Sequence, residues 1–95
     1  MKIIICEVKK QPYMKEVEEV EALHILLNGR VITLPDEDDY VIVCNANNTQ
    51  TKANNRLNIF GDFYIIGFKY GRVFSLDDNY FEYLMKNILN ENISE

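Results

Sequence analysis

"FYIIGFKYGRVFS", Phe63–Ser75, is the stretch on which the fold turns. FYIIGF has the aromatic and β-branched density of a strand, and KYG supplies the turn that closes a hairpin into RVFS. On alternate positions Tyr64, Ile66 and Phe68 share one face, and Phe63, Ile65 and Gly67 the other. Both faces are apolar, as in a central strand. A sharper reading makes the second face a dimer or ligand surface, with Gly67 leaving room for a close approach.

Toward the C-terminus, Ser75-Leu76-Asp77-Asp78 reads as a helix start. Ser75 is the expected cap, with Asp78 three residues on in a variant of the capping box. Phe81, Leu84, Met85 and Ile88 then form a buried stripe, and residues 90–95 are expected to fray. Toward the N-terminus, Gly61-Asp62 is a turn, RLNIF a brief extended piece, YVIVC a strand apolar on both faces, PDEDD a polar turn and RVITL a short strand. From Tyr13 to Asn28 the period becomes helical: Tyr13, Val17, Val20, His24 and Leu27 fall on one stripe with Leu23 at its edge, and Glu18, Glu19 and Glu21 lie off it. Asn28-Gly29 ends that helix, with the glycine expected in the left-handed region. KIIICEV is a first strand in which Ile3 and Ile5 oppose Ile4 and Cys6. KKQP is a turn, with Pro12 suited to open the helix.

The order β-α-β-β-β-β-α predicts an α+β fold with a mostly antiparallel sheet of about five strands and two helices. If both helices cover the same face, the other must meet a dimer partner, a curled sheet or a ligand.

Composition narrows the function. Ninety-five residues, 47 % hydrophobic with six Tyr and five Phe, suffice for one domain with a real core. Residues 1–30 hold five basic and five acidic side chains, so the net charge of −5 arises in residues 31–95, with five basic and ten acidic. An acidic chain lacks the basic stripe that direct nucleic-acid binding needs. The apolar run after Met1 is too short for a signal peptide or a membrane span, which predicts a cytoplasmic protein. Cys6 and Cys44, inside apolar strands, are expected to be reduced and buried.

A single His and the absence of a CxxC motif argue against a zinc site. Asp36-Glu37-Asp38-Asp39 lacks the ligand alternation of a calcium loop and reads as a solvated turn. Nothing in the spacing sets Cys6 or Cys44 beside His24, and Ser75 and Ser94 have no triad context. His24, on the apolar stripe, is expected to be packed. These readings point to a non-enzymatic protein without a cofactor or metal.

CNANNTQTKANNRLN, Cys44–Asn58, carries six asparagines in fifteen residues. Asparagine tolerates left-handed backbone and bonds its own main chain, so an ordinary loop of polar turns explains most of it. Asn54-Asn55-Arg56 also offers a guanidinium fork beside amides, suited to a phosphate or carboxylate.

The ordered set of motifs resembles the family called domain of unknown function 3846, small proteins of phages and mobile elements, mostly in Firmicutes. MKIIICEVKKQPYMKEVEEVEALHILLNGRVITL looks like its opening strand, helix and glycine exit. VIVCNANN, NNRLN, IFGDFYIIG and FSLDDNYFEYL resemble its later segments in order. The family often has glutamine at His24, a second glycine at Asn28, and a Glu-Glu-Gly turn at Ala46-Asn47-Asn48. The resemblance implies a setting of stoichiometric binding and makes Asn45, Asn55, Arg56 and Gly61 the leading functional positions.

Three functions follow as expectations. The first is a phage or mobile-element accessory protein that inhibits a host factor such as an immune nuclease. Its acidic half, with Asp36, Glu37, Asp38, Asp39, Asp77, Asp78 and Glu82, would complement a basic site. The second is a sponge for a nucleotide-like immune signal held at a homodimer interface, with Arg56 and Asn55 on phosphate and base and Tyr64 or Phe60 stacking. The third is a structural or regulatory dimerisation module.

Overall fold

The computed structural model describes residues 1–7, 10–32, 39–45, 53–54 and 59–86; of Ile32, Asn45, Ala53, Asn54, Ile59 and Phe60 it describes the backbone alone. Ile88 and the expected frayed tail lie outside the described residues.

In chain order the elements are β1 (Lys2–Cys6), β2 (Tyr13–Glu16), α1 (Glu19–Asn28), β3 (Gly29–Ile32), β4 (Tyr40–Asn45), β5 (Ala53–Asn54), β6 (Ile59–Phe60), β7 (Phe63–Lys69), β8 (Arg72–Phe74) and α2 (Asp78–Leu84). The main sheet runs β2-β1-β7-β4-β3, with β8 also paired to β7, and every pairing is antiparallel. β5 and β6 form a separate two-stranded ribbon. The fold is α+β, as the sequence indicates.

β7 is the central strand, with β1 on one side and β4 on the other. Its hairpin to β8 turns through Tyr70 (φ 55°) and Gly71 (φ 75°), both left-handed, the two-residue geometry that matches strand twist. The alternation of β1 and β7 divides the core in two. Ile4, Cys6, Phe63, Ile65 and Ile42 face α2, where Leu84 is fully buried and Phe81 and Met85 pack alongside. Ile3, Ile5, Val41, Val43 and Ile66 face α1, with Ala22 fully buried and Ile25 and Leu26 alongside. The helices therefore cover opposite faces, so neither sheet face is left for a ligand by default. Gly67 offers no vacancy either: a Cβ there would lie 2.5 Å from the Phe74 carbonyl oxygen and 3.1 Å from Leu76 Cδ2.

Three local expectations need correction. Residues 13–16 form an edge strand rather than the first turn of a helix. Met, Lys and Glu favour helix, but pairing with β1 in the register Ile5↔Tyr13 to Lys2↔Glu16 supplies backbone partners that an isolated helical turn lacks. Gly29 is extended (φ −102°, ψ 174°), not left-handed, because α1 passes straight into β3. The cap of α2 is Asp77, whose carboxylate accepts from Tyr80 N at 2.8 Å. Ser75 Oγ instead accepts from Lys2 N at 2.8 Å and ties this segment to β1.

The helical stripe itself is turned outward. Val17 has left the helix and is buried beneath it. Ala22, Ile25 and Leu26 face the sheet, while Val20, Leu23 and Leu27 are exposed. His24 is exposed too, with its ring Nδ1 3.2 Å from Asn28 Nδ2.

Candidate functional site

The register lines up one row of side chains on the α1 face: Tyr13, Ile5, Tyr64, Val43 and Val31, one from each strand of the sheet path. Tyr13 and Tyr64 stand on either side of Ile5, two strand spacings apart, or about 10 Å. Between them opens a groove of about 160 Å³. Ile3, Ile5 and Val17 contribute its apolar lining, and Glu21 and Ile25 of α1 contribute the helix side. Glu7 and Lys15 complete its polar rim.

The groove exists because α1 starts late. Had the helix begun at Tyr13, no edge strand would carry Tyr13 and Lys15 on this face. The Tyr13 hydroxyl donates to Glu7 Oε2 at 3.3 Å, and Lys10 Nζ lies 3.4 Å from Glu7 Oε1. Withdrawal from solvent, and then the neighbouring Glu7 carboxylate, hold the Tyr13 phenol above its ordinary value of 10.0. Glu7 is paired with Lys10, so Glu21 is the lining carboxylate without that partner, and Lys15 stands on the strand side. Ile3, Ile5 and Val17 are almost wholly covered, so the surface the groove presents is mainly polar, and its two tyrosines and Glu21 suit a cationic group.

Of the positions singled out from sequence, Tyr64 lines this groove. Asn45 ends β4 beside the Cys44↔Phe63 pair, and Gly61 is a buried bend (φ 80°) two residues before Phe63, so both come to the same end of the sheet. Asn55, Arg56, Asp36, Glu37 and Asp38 lie outside the described residues. Asp39 pairs with Lys69 Nζ at 2.9 Å, and its carbonyl accepts from Phe68 N at 3.1 Å. Asp77 caps α2, and Asp78 lies 3.7 Å from Lys2 Nζ. Tyr13, Glu7, Lys15 and Glu21 were not singled out as site residues. An alternation of Tyr13 and Lys15 was there to be read, hidden under a stronger helical period.

Cys6 and Cys44 are buried, form no disulfide, and sit on either side of Phe63 in the register. Among the described residues no three His, Cys, Asp or Glu gather as metal ligands, and no helix is long and apolar enough to cross a membrane.

These features define a class, a small layered α+β domain with a tyrosine-walled groove beside its first helix. The chain belongs to the family described as Domain of unknown function (DUF3846), whose model matches residues 1–89. No curated protein and no solved structure matches it.

Proposed function

We propose that this chain is a non-enzymatic binding protein, an accessory factor of a phage or mobile element that blocks a host protein in the cytoplasm by docking on a basic surface. The observation that carries the reading is the groove between Tyr13 and Tyr64, with Glu21 on its helix side and Glu7 and Lys15 at its rim. A lysine or arginine side chain would set its cation near Tyr13, Tyr64 and the Glu21 carboxylate. The acidic excess of the chain would speed encounter with such a surface.

A nucleotide-like signal is the weaker fit to this groove. At about 160 Å³ the groove falls below the roughly 300 Å³ at which small-molecule pockets begin.

Amide chemical-shift titration with N-acetyl-arginine methylamide tests the reading, with the citrulline analogue as an uncharged isostere. The expected result is movement around Tyr13, Tyr64 and Glu21 with the arginine compound only, abolished by Tyr64→Ala. Equal response to both compounds, or none at millimolar concentration, refutes the cation site.

A further inference from the structure

α1 is apolar on two opposite sides. At about 100° per residue, Ala22, Ile25 and Leu26 centre on the sheet, and Val20, Leu23, His24 and Leu27 centre on the direction away from it. Two of the outward residues are widely open, Val20 at 73 % and Leu27 at 81 %, and Leu23 at 37 % is partly covered. Their spacing, i, i+3, i+4 and i+7, is a complete two-turn stripe, the pattern by which one helix seats against another. A helix apolar on both faces is ordinarily covered on both.

The flanks say what kind of cover fits. Glu21 borders the stripe on the groove side and Glu19 on the other, with Glu18 at the cap, and α1 has no basic residue in its last turn. An anionic lipid surface would be repelled by those carboxylates. A second copy of α1 would bring apolar stripes together but offer its own glutamates no lysine or arginine of that helix to meet.

We infer that the outward face of α1 docks an amphipathic helical segment of a partner protein, one whose apolar stripe is bordered by lysine or arginine. The inference rests on the binding function proposed above and names the partner's chemistry. Glu21 belongs to both features, so a segment lying along α1 sets its apolar residues on Val20, Leu23 and Leu27. A flanking cation then reaches over Glu21 toward Tyr64.

The test uses the full chain and a designed, helical leucine–lysine amphipathic peptide, compared with Leu27→Glu and Val20→Glu variants by fluorescence anisotropy. Both positions are exposed, so circular dichroism should show an unchanged fold. The substitutions add negative charge. Attraction by charge alone predicts equal or tighter binding of the basic peptide, whereas docking on the stripe predicts a loss of tenfold or more. That loss, with wild-type response to N-acetyl-arginine methylamide retained in the groove, supports the inference. Unchanged or tighter binding overturns it. Sedimentation equilibrium gives the other overturning outcome: a two-chain mass that Leu27→Glu converts to one chain would assign the stripe to a second copy. Absence of an arginine-specific groove response in the native chain, with the loss in Leu27→Glu still seen, would count against the cation site and leave the stripe standing.

Discussion

Replacing Gly29 by alanine probes the junction that sets the pose of α1. The backbone there is extended, φ −102° and ψ 174°, a conformation open to any L-residue, so no backbone strain is involved. The obstacle is space. A Cβ on residue 29 would run into Val43 Cγ1 and lie 3.0 Å from both the Cys44 and Ile25 carbonyl oxygens. Val43 is buried and β-branched, with little rotamer freedom to yield, and the two oxygens are backbone atoms of β4 and α1. Overpacking of this kind costs about 1–3 kcal/mol, while the stiffer unfolded chain of alanine offsets about 0.4–1 kcal/mol. The net loss is about 0–2.6 kcal/mol, centred near 1.3, or a fall in Tm centred on roughly 5–10 °C for a domain of this size. Urea or thermal unfolding followed by circular dichroism measures it. Val43→Ala removes the clashing methyl, so the double variant should recover about 1–2 kcal/mol relative to additivity. Gly29→Asn separates this account from a left-handed cap: asparagine should be tolerated better than alanine in the left-handed region and no better here. Strict additivity with Val43→Ala, or a clear advantage for asparagine, would refute the steric reasoning.

Two further outcomes follow from the core and from the chain start. Phe63 is fully buried between Cys6 and Cys44, so Phe63→Ala should cost about 3–5 kcal/mol and make both thiols reactive toward an aromatic disulfide reagent under conditions where the native chain is inert. Slow, unchanged thiol labelling in that variant would contradict the packing. The Met1 ammonium hydrogen-bonds Glu16 Oε2 and holds the Glu16 carboxyl below its ordinary 4.5. A depressed folded-state pKa means a stabilising contribution present above the ordinary carboxylate value and lost as pH falls through the folded one. Acetylating the N-terminus should therefore raise the Glu16 midpoint in a carboxyl-carbon NMR titration and remove that acid-side dependence; an unmoved midpoint would show that the ammonium is not the cause.

The parts of the fold legible in the sequence were those where one interaction decides. β7 and its hairpin could be read because β-branched density, the left-handed Tyr70-Gly71 turn and both-face apolarity all agree. The buried stripe of α2 was legible at Phe81, Leu84 and Met85 for the same reason. Residues 13–16 were not, because local propensity and long-range pairing conflict there, and only the partner strand resolves the conflict. Gly29 was misread since a glycine needed for close approach looks the same, in sequence, as one needed for a left-handed turn. Of the candidate site, Tyr64 was legible as an aromatic on a strand face. Tyr13 and Lys15 join it only through the pairing of β2 with β1, and Glu21 through the packing of α1 on the same face.

The outward stripe of α1 shows how far periodicity reaches. Period alone finds an apolar face but does not say what it meets, and here the more conspicuous face is the one the fold does not use. The inner contacts of α1 are met by Ala22, Ile25 and Leu26. Val20 is a weaker helix former than lysine or glutamate and gains nothing at 73 % exposure. Leu27, more open still, adds apolar surface to water without a compensating contact inside the described residues. Polar replacements at these positions would leave the monomer as stable or slightly more so. Contacts made outside the monomer would give Val20 and Leu27 a stabilising role that the monomer does not. In α2, Leu84 is buried in the core with Phe81 and Met85 packed partly against it, while Tyr83 is exposed. On the inference drawn above, α1 would complete the fold on one side and offer its carboxylate-bordered outer face to a partner helix.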